Sequence, residues 1–150
     1  MSGREGLVGA VREDFADRVT SADRAGRLGV AVLGCSGSIG TQALDVCRQH
    51  PDKVEVVALS VSSSTSALVC AAREFGVRWV GVADESHAAD PILEDLPSGC
   101  AICVGEDACA GLGCLEEVDC VVLAVVGFAG IEAALRAVEA GKTVAYANKE

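Results

Sequence analysis

The sequence has no apolar run long enough to span a membrane, because Gly, Ser or Asp interrupts each hydrophobic stretch. Its N-terminal stretch, MSGREGLVGAVREDFADRVT, lacks the continuous apolar segment of a secretory signal, and its acidic residues argue against a transit peptide. We therefore expect a cytoplasmic protein without a membrane partner. The chain of 150 residues is 51% hydrophobic, enough to bury one full core, which predicts a single folded domain.

Positive charge is scarce beyond the N-terminal segment. Arginine and acidic residues balance over residues 1–27, so the net charge of -10 falls entirely on residues 28–150. A domain this acidic has no general attraction for a polyanionic backbone, which argues against nucleic acid as a partner. Any phosphate that binds here must therefore be held by local dipoles and backbone N–H groups.

Histidine is also scarce: the sequence has two, His50 and His87, against eight cysteines. One C-x-x-C pair, Cys100 and Cys103, lies in a predicted strand, with no second C-x-x-C and no histidine nearby. The two thiols would share a side of that strand only if the strand bulged. We predict that the cysteines are buried apolar fillers in a reducing compartment, with metal or redox chemistry as the less favoured alternative.

Residues 1–27 form a lead that is predicted to be weakly ordered or helical. After this lead, the hydrophobic pattern predicts strands that alternate with helices. Strands are predicted at 28–34, 54–60, 77–83, 100–105, 119–127 and 142–150. Helices are predicted at 38–50, 66–76 and 128–141, with an acidic helical stretch at 84–99 that is interrupted at Pro91. The last helix carries Ile131, Leu135 and Val138 on one apolar stripe. This alternation predicts an α/β fold, a Rossmann-like, doubly wound, mostly parallel sheet with helices on both faces.

The stretch GCSGSIG joins the first predicted strand to the first helix and spaces Gly34, Gly37 and Gly40 as G-x-x-G-x-x-G. In a dinucleotide site the first glycine permits a tight exit, the second lets a pyrophosphate approach, and the third lets the helix pack. The hydroxyls of Ser36 and Ser38 would add donors to the same anion site. A purely structural glycine turn is the alternative, but the strand-turn-helix context favours dinucleotide binding. A Walker-type phosphate loop is excluded because no Gly-Lys-Ser/Thr follows.

The residues after the second predicted strand bear on the choice of cofactor. An NAD site usually has an acidic residue there to bind the ribose 2′-hydroxyl, whereas this chain has the stretch LSVSSSTS. Without a carboxylate nothing repels a 2′-phosphate, and its donors would be Ser60, Ser62, Ser63 and Ser64. This pattern predicts NADPH. An ordinary serine-rich loop with a helix N-cap is the alternative.

The stretch LGCSGSIGTQALDVCRQHPDKVEVVALS resembles the N-terminal NADPH-binding domain of the 1-deoxy-D-xylulose 5-phosphate reductoisomerase family. The stretch AVVGFAGIEAALRAVEAGKTVAYANKE is similar to that family's Val-Gly-x-x-Gly-Leu helix and its Ala-Asn-Lys-Glu strand end. The resemblance covers about residues 28–150, which we expect to form the NADPH-binding domain. It implies that Lys149 reaches the substrate and that the cofactor contacts come from Ser36, Gly37, Ser38, Ile39, Asn148 and Glu150.

The chain departs from the family's pattern in two places. After the second strand the family carries Gly-Lys-Asn, but here Ser62, Ser63 and Ser64 stand there, so the preference for NADPH over NADH is expected to be weak. The family's metal-binding carboxylates, substrate-phosphate site and lid all follow Asn-Lys-Glu. The chain therefore looks like a fragment that contains no metal ligand and has no activity by itself.

The resemblance implies the function of the full-length enzyme. Such an enzyme, expected to be a homodimer with a divalent metal (Mn²⁺ or Mg²⁺), would isomerise and reduce 1-deoxy-D-xylulose 5-phosphate to 2-C-methyl-D-erythritol 4-phosphate in non-mevalonate isoprenoid biosynthesis. Two alternatives stay open from the residues alone. One is another NAD(P)-dependent two-domain dehydrogenase, of the semialdehyde or homoserine type, and the other is a nucleotide-sensing regulatory domain without chemistry.

Overall fold

The structure, a computed structural model, describes residues 26–147. Strands β1 to β6 occupy Leu28–Leu33, Val54–Val61, Trp79–Val82, Ala101–Val104, Cys120–Leu123 and Thr143–Tyr146. Helices α1 to α4 occupy Ser38–Gln49, Thr65–Phe75, Glu106–Gly111 and Phe128–Glu139. Short 3₁₀ turns lie at Glu85–His87, Pro91–Asp95 and Leu112–Cys114. The predicted lead falls outside the described residues except for its last two positions. Within residues 26–147, no helix has the length and apolar character needed to cross a bilayer.

All six described strands belong to one sheet, in the order β4-β3-β2-β1-β5-β6. Every neighbouring pair is parallel. Strand β1 pairs with β2 on one side and with β5 on the other, so the strand order reverses at β1. In an open parallel sheet such a reversal leaves a crevice at the carboxyl ends of the strands. The predicted Rossmann-like α/β fold is confirmed.

Helices cover both faces of the sheet, and each face has its own core. Leu44 of α1 and Leu68 of α2 pack into one core with residues such as Val32 of β1. Ala133 of α4 packs into the other, which also contains Leu112. Because side chains alternate along a strand, each buried strand contributes to both cores. This two-sided burial explains why the strands are almost continuously apolar in sequence.

Two segments between β3 and β5 differ from the predictions. The acidic stretch 84–99 forms two 3₁₀ turns instead of an interrupted helix, and Asp84 caps the first by accepting a hydrogen bond from the Ser86 N–H at 3.0 Å. Residues 106–111, for which no helix was predicted, form α3. Four of its six residues are buried. A helix this short shows little periodicity, so its formation depends on packing.

Helix α4 packs against the sheet through its small residues. Gly130, Ala133 and Ala137 are buried, whereas the apolar stripe noted in the sequence is exposed, with 58% exposure at Leu135. A Cβ on Gly130 would lie 2.6 Å from the Val125 carbonyl oxygen, so the helix backbone comes too close to tolerate a larger residue there. The bulky stripe therefore faces away from the core.

The cysteines occupy both cores and the surface. Cys100 packs against one core and Cys103 lies in the other, which confirms that the C-x-x-C thiols face opposite sides of β4. All eight are free thiols. The filler prediction is confirmed for four buried cysteines, Cys35, Cys47, Cys103 and Cys109. It is wrong for Cys70, which is exposed, and the other three are partly buried.

Candidate functional site

The glycine-rich turn lies between β1 and α1, at the point where the strand order reverses. Gly34 has a φ of +86°, and a Cβ there would lie 2.7 Å from the Ala124 carbonyl oxygen. Its N–H donates to the Ser60 carbonyl at 2.9 Å and to the Ser60 hydroxyl at 3.2 Å. The Cys35 N–H donates to the same carbonyl at 2.8 Å. Both neighbouring strands therefore fix the turn, which requires glycine at position 34.

The second and third glycines of the turn differ in what surrounds them. A Cβ on Gly40 would overlap the Gly34 carbonyl oxygen and would lie 2.6 Å from Cys35 Cα. A Cβ on Gly37 would meet only the Gly34 carbonyl oxygen, at 3.9 Å, which is ordinary van der Waals contact. The protein's own packing thus requires glycine at position 40 but not at position 37. The space in front of Gly37 is open to a ligand.

The first turn of α1 is suited to an anion. Gly37 is the N-cap residue, so no side chain caps the helix, and the first turn contains no acidic residue. Ser36 and Ser38 are exposed beside it, and Ile39 is half-buried. The N–H groups of a first helical turn have no partner within the helix, and the helix dipole adds partial positive charge there. Backbone and hydroxyl donors therefore surround the open space at Gly37.

A cavity of about 360 Å³ opens at the carboxyl ends of β1, β2, β3 and β5. Its lining includes residues of the turn, of the β2 end and of the segment after β5, namely Gly34, Ser36, Gly37, Ser60, Ser62, Ala124, Val125 and Val126. Ala83 and Glu106 line it as well, and they also border a more open cavity of about 630 Å³. The sequence patterns did not identify Ala83, Glu106 or the segment after β5. The available signal was their position directly after parallel strands.

The serine loop, residues 62–64, is exposed at the carboxyl end of β2. Among the described residues, none hydrogen-bonds to the hydroxyls of these serines, and only their carbonyl oxygens accept hydrogen bonds. Ser64 is the N-cap residue of α2 but makes no side-chain cap, which contradicts the alternative of a serine-capped helix. Ser60 differs from these three because it is 4% exposed and supports the glycine turn through its hydroxyl. That hydroxyl accepts the Gly34 N–H and keeps its own hydrogen, so its role as a phosphate donor stays a prediction.

A polar cluster lies beside the serine loop. The Asp84 N–H donates to the Ser62 carbonyl at 2.9 Å, which holds the loop after β3 against the loop after β2. The Thr65 hydroxyl donates to Asp90 Oδ2 at 2.7 Å, and His87 Nδ1 lies 3.0 Å from the same oxygen. The hydrogen bonds from Thr65 and His87 lower the pKa of Asp90, and the bond to Asp90 raises the pKa of His87.

The described residues offer little for nucleophilic or metal chemistry in the cavity. Within residues 26–147, no three His, Cys, Asp or Glu side chains lie close enough together to hold a metal ion. Cys35 lies in the turn and Cys109 lines the cavity, but burial raises the pKa of each thiol to about 12. Both thiols are therefore protonated at neutral pH and weak as nucleophiles. The arrangement is suited to binding an anion-bearing ligand.

Three predicted site residues, Asn148, Lys149 and Glu150, lie outside the described residues. Strand β6 ends at Tyr146, and the Ala147 N–H donates to the Leu123 carbonyl at 3.1 Å. The chain therefore leaves the sheet at the same edge as the glycine turn. The roles of these three residues stay predictions.

Comparison with known proteins identifies relatives over most of the chain. Residues 30–150 match the family model described as 1-deoxy-D-xylulose 5-phosphate reductoisomerase. The enzyme of that name from Geobacillus sp. (strain WCH70) is 41% identical over 121 residues, covering 81% of this chain and 32% of the relative. The one from Ralstonia pickettii (strain 12J) is 41% identical over 127 residues, covering 81% of this chain and 31% of the relative. The chain thus spans about a third of the length of these relatives.

Solved structures give the same result. The reductoisomerase from Zymomonas mobilis in complex with NADPH superimposes with a TM-score of 0.74 at 34% sequence identity, covering 81% of this chain and 32% of that one. A reductoisomerase in complex with NADPH, fosmidomycin and magnesium gives a TM-score of 0.70 at 31% identity, covering 78% of this chain and 29% of that one.

Proposed function

The chain belongs to the 1-deoxy-D-xylulose 5-phosphate reductoisomerase family, and from this we propose that residues 28–150 form an NADPH-binding domain. The complete enzyme would isomerise and reduce 1-deoxy-D-xylulose 5-phosphate to 2-C-methyl-D-erythritol 4-phosphate in non-mevalonate isoprenoid biosynthesis. Family membership confirms the resemblance found in the sequence. The comparisons do not favour a semialdehyde- or homoserine-type dehydrogenase or a regulatory nucleotide sensor.

The proposal is based on the different surroundings of the three glycines in the turn. Gly34 and Gly40 are required by contacts within the protein, whereas a Cβ on Gly37 would meet only the Gly34 carbonyl oxygen, at an ordinary van der Waals distance of 3.9 Å. A pyrophosphate before Gly37 would receive backbone N–H groups from the start of α1 and hydroxyls from Ser36 and Ser38. The residues of the turn therefore fit the pyrophosphate of a dinucleotide.

The two halves of the cofactor would lie on opposite sides of the turn. The serine loop, Ser62 to Ser64, supports placing the 2′-phosphate of the adenosine half at the end of β2. The apolar segment Ala124–Val126 after β5 would face the nicotinamide half, whose hydride the cofactor supplies when bound. Ser62 of the serine loop and all three residues of the segment after β5 line the same cavity. Asn148 and Glu150 as further cofactor contacts, and Lys149 as a substrate contact, belong to this proposal.

The remaining features of the complete enzyme rest on the family alone. The described residues do not fit a divalent metal, so no step of the reaction is derived through one. The sugar-phosphate substrate, the choice between Mn²⁺ and Mg²⁺, the homodimer and the cytoplasmic location stay predictions. What this chain's own residues supply is a fixed position for the cofactor at the carboxyl edge of the sheet.

The proposal is tested by titrating NADPH into the chain and following the fluorescence of the reduced nicotinamide. We expect saturable binding that NADP⁺ reverses by competition. Val126, which lines the cavity and is 69% exposed, can be changed to Asp at little cost to folding. The new carboxylate should weaken NADPH binding several-fold by repelling the anionic cofactor.

Val138→Asp is the matched control for this titration. Val138 is 60% exposed on α4 and does not line either cavity, so its substitution should leave the affinity unchanged. An absence of saturable binding by the unmodified chain would refute the proposed function. Equal effects of the two substitutions would place the cofactor elsewhere on the protein.

A further inference from the structure

The serine-loop end of the cavity is short of positive charge. In a parallel sheet all amino ends of the strands lie at one edge, and the helices end there too. All seven Lys and Arg residues that the structure describes lie either just before a strand or in the last turn of a helix: Arg27, Arg48, Lys53, Arg73, Arg78, Arg136 and Lys142. Arg136 donates to the Asp107 carbonyl at 3.0 Å and lies 3.4 Å from its carboxylate. None of the seven lies on the serine loop.

His87 is the basic side chain next to this loop. It ends the 3₁₀ turn that follows β3, and Asp84, just before that turn, is hydrogen-bonded to Ser62. Its Nδ1 and the Thr65 hydroxyl share one oxygen of Asp90, at 3.0 and 2.7 Å. Two hydrogen bonds through Asp90 thus connect the imidazole to Thr65, the residue that directly follows the serine loop.

The other ring nitrogen of His87 is available to a ligand. The side chain is 40% exposed, and no described residue hydrogen-bonds to Nε2. With Nδ1 bound to Asp90, the Nε2–H group of the ring points away from that carboxylate. A protonated His87 would therefore present a charged N–H donor on the loop that is hydrogen-bonded to the serine loop.

We propose that His87 is a specificity-determining residue of the cofactor site, whose imidazolium Nε2–H binds the 2′-phosphate of NADPH together with the serine loop. It follows that the preference for NADPH over NADH falls as the pH rises and the histidine loses its proton. This inference rests on the proposed function, since it concerns the same cofactor. His87, which follows β3, would take the role of the lysine that the family carries after its second strand.

The charges around His87 determine the direction of the pH dependence. The hydrogen bond to Asp90 raises the pKa of His87, partial burial opposes this, and the charges of Asp90 and Asp84 raise it further. Thr65, the contact from α2, is uncharged. The imidazolium is thus present below the usual histidine range, persists into it, and is lost above the raised pKa. The same carboxylates partly neutralise it, so the effect on affinity is moderate.

The test is a titration of the chain with NADPH and with NADH at about pH 6 and about pH 8.5, on either side of the histidine range. We expect His87→Gln to lower the ratio of NADPH to NADH affinity about three- to tenfold at the lower pH, as for loss of a partly screened charge-assisted bond. At the higher pH the same substitution should change little. Because the 2′-phosphate also titrates near pH 6, each comparison is made between variants at one pH.

Two further variants complete the experiment. His87→Lys should keep the ratio high at both pH values, because the amine stays protonated. His50→Gln removes the other histidine, which follows α1 at the opposite edge of the sheet, and should leave the ratio unchanged. If NADPH does not bind the unmodified chain, the proposed function fails and this inference fails with it. If both nucleotides bind but His87→Gln alters neither affinity, or alters both equally, the role of His87 is refuted and the proposed function stands.

Discussion

The glycine turn leads to a prediction that separates folding from cofactor binding. In Gly40→Ala the new Cβ meets backbone atoms of Gly34 and Cys35 that cannot move without distorting the turn. Overpacking of this kind costs about 1–3 kcal/mol, and alanine regains at most about 1 kcal/mol through its higher helix propensity. The overlap is severe, so we expect a net loss of about 2 kcal/mol. That corresponds to a fall of about 5–10 °C in Tm for a domain of this size.

Gly37→Val should behave in the opposite way. Gly37 has a φ of -80° and a ψ of 177°, an extended conformation open to valine, and its Cβ position is uncrowded. The loss of a tolerated N-cap residue should cost no more than about 1 kcal/mol. The valine side chain occupies the space proposed for the pyrophosphate. The substitution should therefore abolish stabilisation by NADPH, which amounts to about 2.7 kcal/mol when the free cofactor is a hundredfold above Kd.

Thermal unfolding followed by circular dichroism, with and without NADPH, measures both effects. The unmodified chain should melt higher with NADPH, Gly40→Ala should melt lower under both conditions, and Gly37→Val should melt near the unmodified chain without responding to the cofactor. A normal Tm for Gly40→Ala would show that the turn relaxes easily. A full NADPH response in Gly37→Val would remove the turn from the cofactor site.

Three further predictions concern α4, the thiols and activity. Gly130→Ala should lower the free energy of unfolding, measured in urea, by about 1–3 kcal/mol through overpacking. Leu135→Gln on the exposed stripe should change it by less than about 0.5 kcal/mol. Equal effects of the two substitutions would contradict the packing of α4. Thiol labelling of the native chain at neutral pH, measured by mass spectrometry, should modify Cys70 but not Cys35 or Cys109. Burial raises the pKa of the last two thiols, so they stay protonated. Rapid labelling of either buried thiol would contradict this prediction. Finally, the chain should not oxidise NADPH when 1-deoxy-D-xylulose 5-phosphate and Mg²⁺ or Mn²⁺ are supplied, since no described cluster holds a metal; substrate-dependent loss of NADPH absorbance would refute the expectation of an inactive fragment.

The parts of the fold that the sequence predicted well are those with long periodic patterns. Helices α1, α2 and α4 and strands β1 to β4 were predicted to within two residues at each end, since each has either an amphipathic or a continuous apolar pattern. The predicted strands 119–127 and 142–150 run past the ends of β5 and β6 at Leu123 and Tyr146, and residues 148–150 lie outside the described part of the chain. The segment 84–99 and helix α3 were not, because 3₁₀ turns and a six-residue helix leave no such pattern. The hydrophobic pattern also did not predict which face of α4 packs against the sheet. The bulky stripe at Leu135 resembles a core face, but the close approach at Gly130 decides which side packs.

In the candidate site, too, local sequence patterns were predictable and contacts between distant segments were not. The glycine turn was predictable because its three glycines act within seven consecutive residues. The serine loop was recognised from its composition, but its neighbours Asp84, His87 and Asp90 come from a loop more than twenty residues away in sequence. They reach it only because β2 and β3 pair in parallel with Val61 opposite Val82, so that the two strands end side by side.

Parallel register thus changes how the missing lysine of the serine loop should be interpreted. If only the serine loop is considered, serine in place of the family's lysine removes the charge that would bind a 2′-phosphate. This loss was the reason for predicting a weak preference for NADPH over NADH. In the folded sheet the end of β3 lies beside the end of β2, so a cation on either loop can serve the same phosphate. The proposed role of His87 therefore makes cofactor preference a property of two adjacent strand ends. It also makes that preference depend on pH, since a histidine can lose its charge near neutrality whereas a lysine does not.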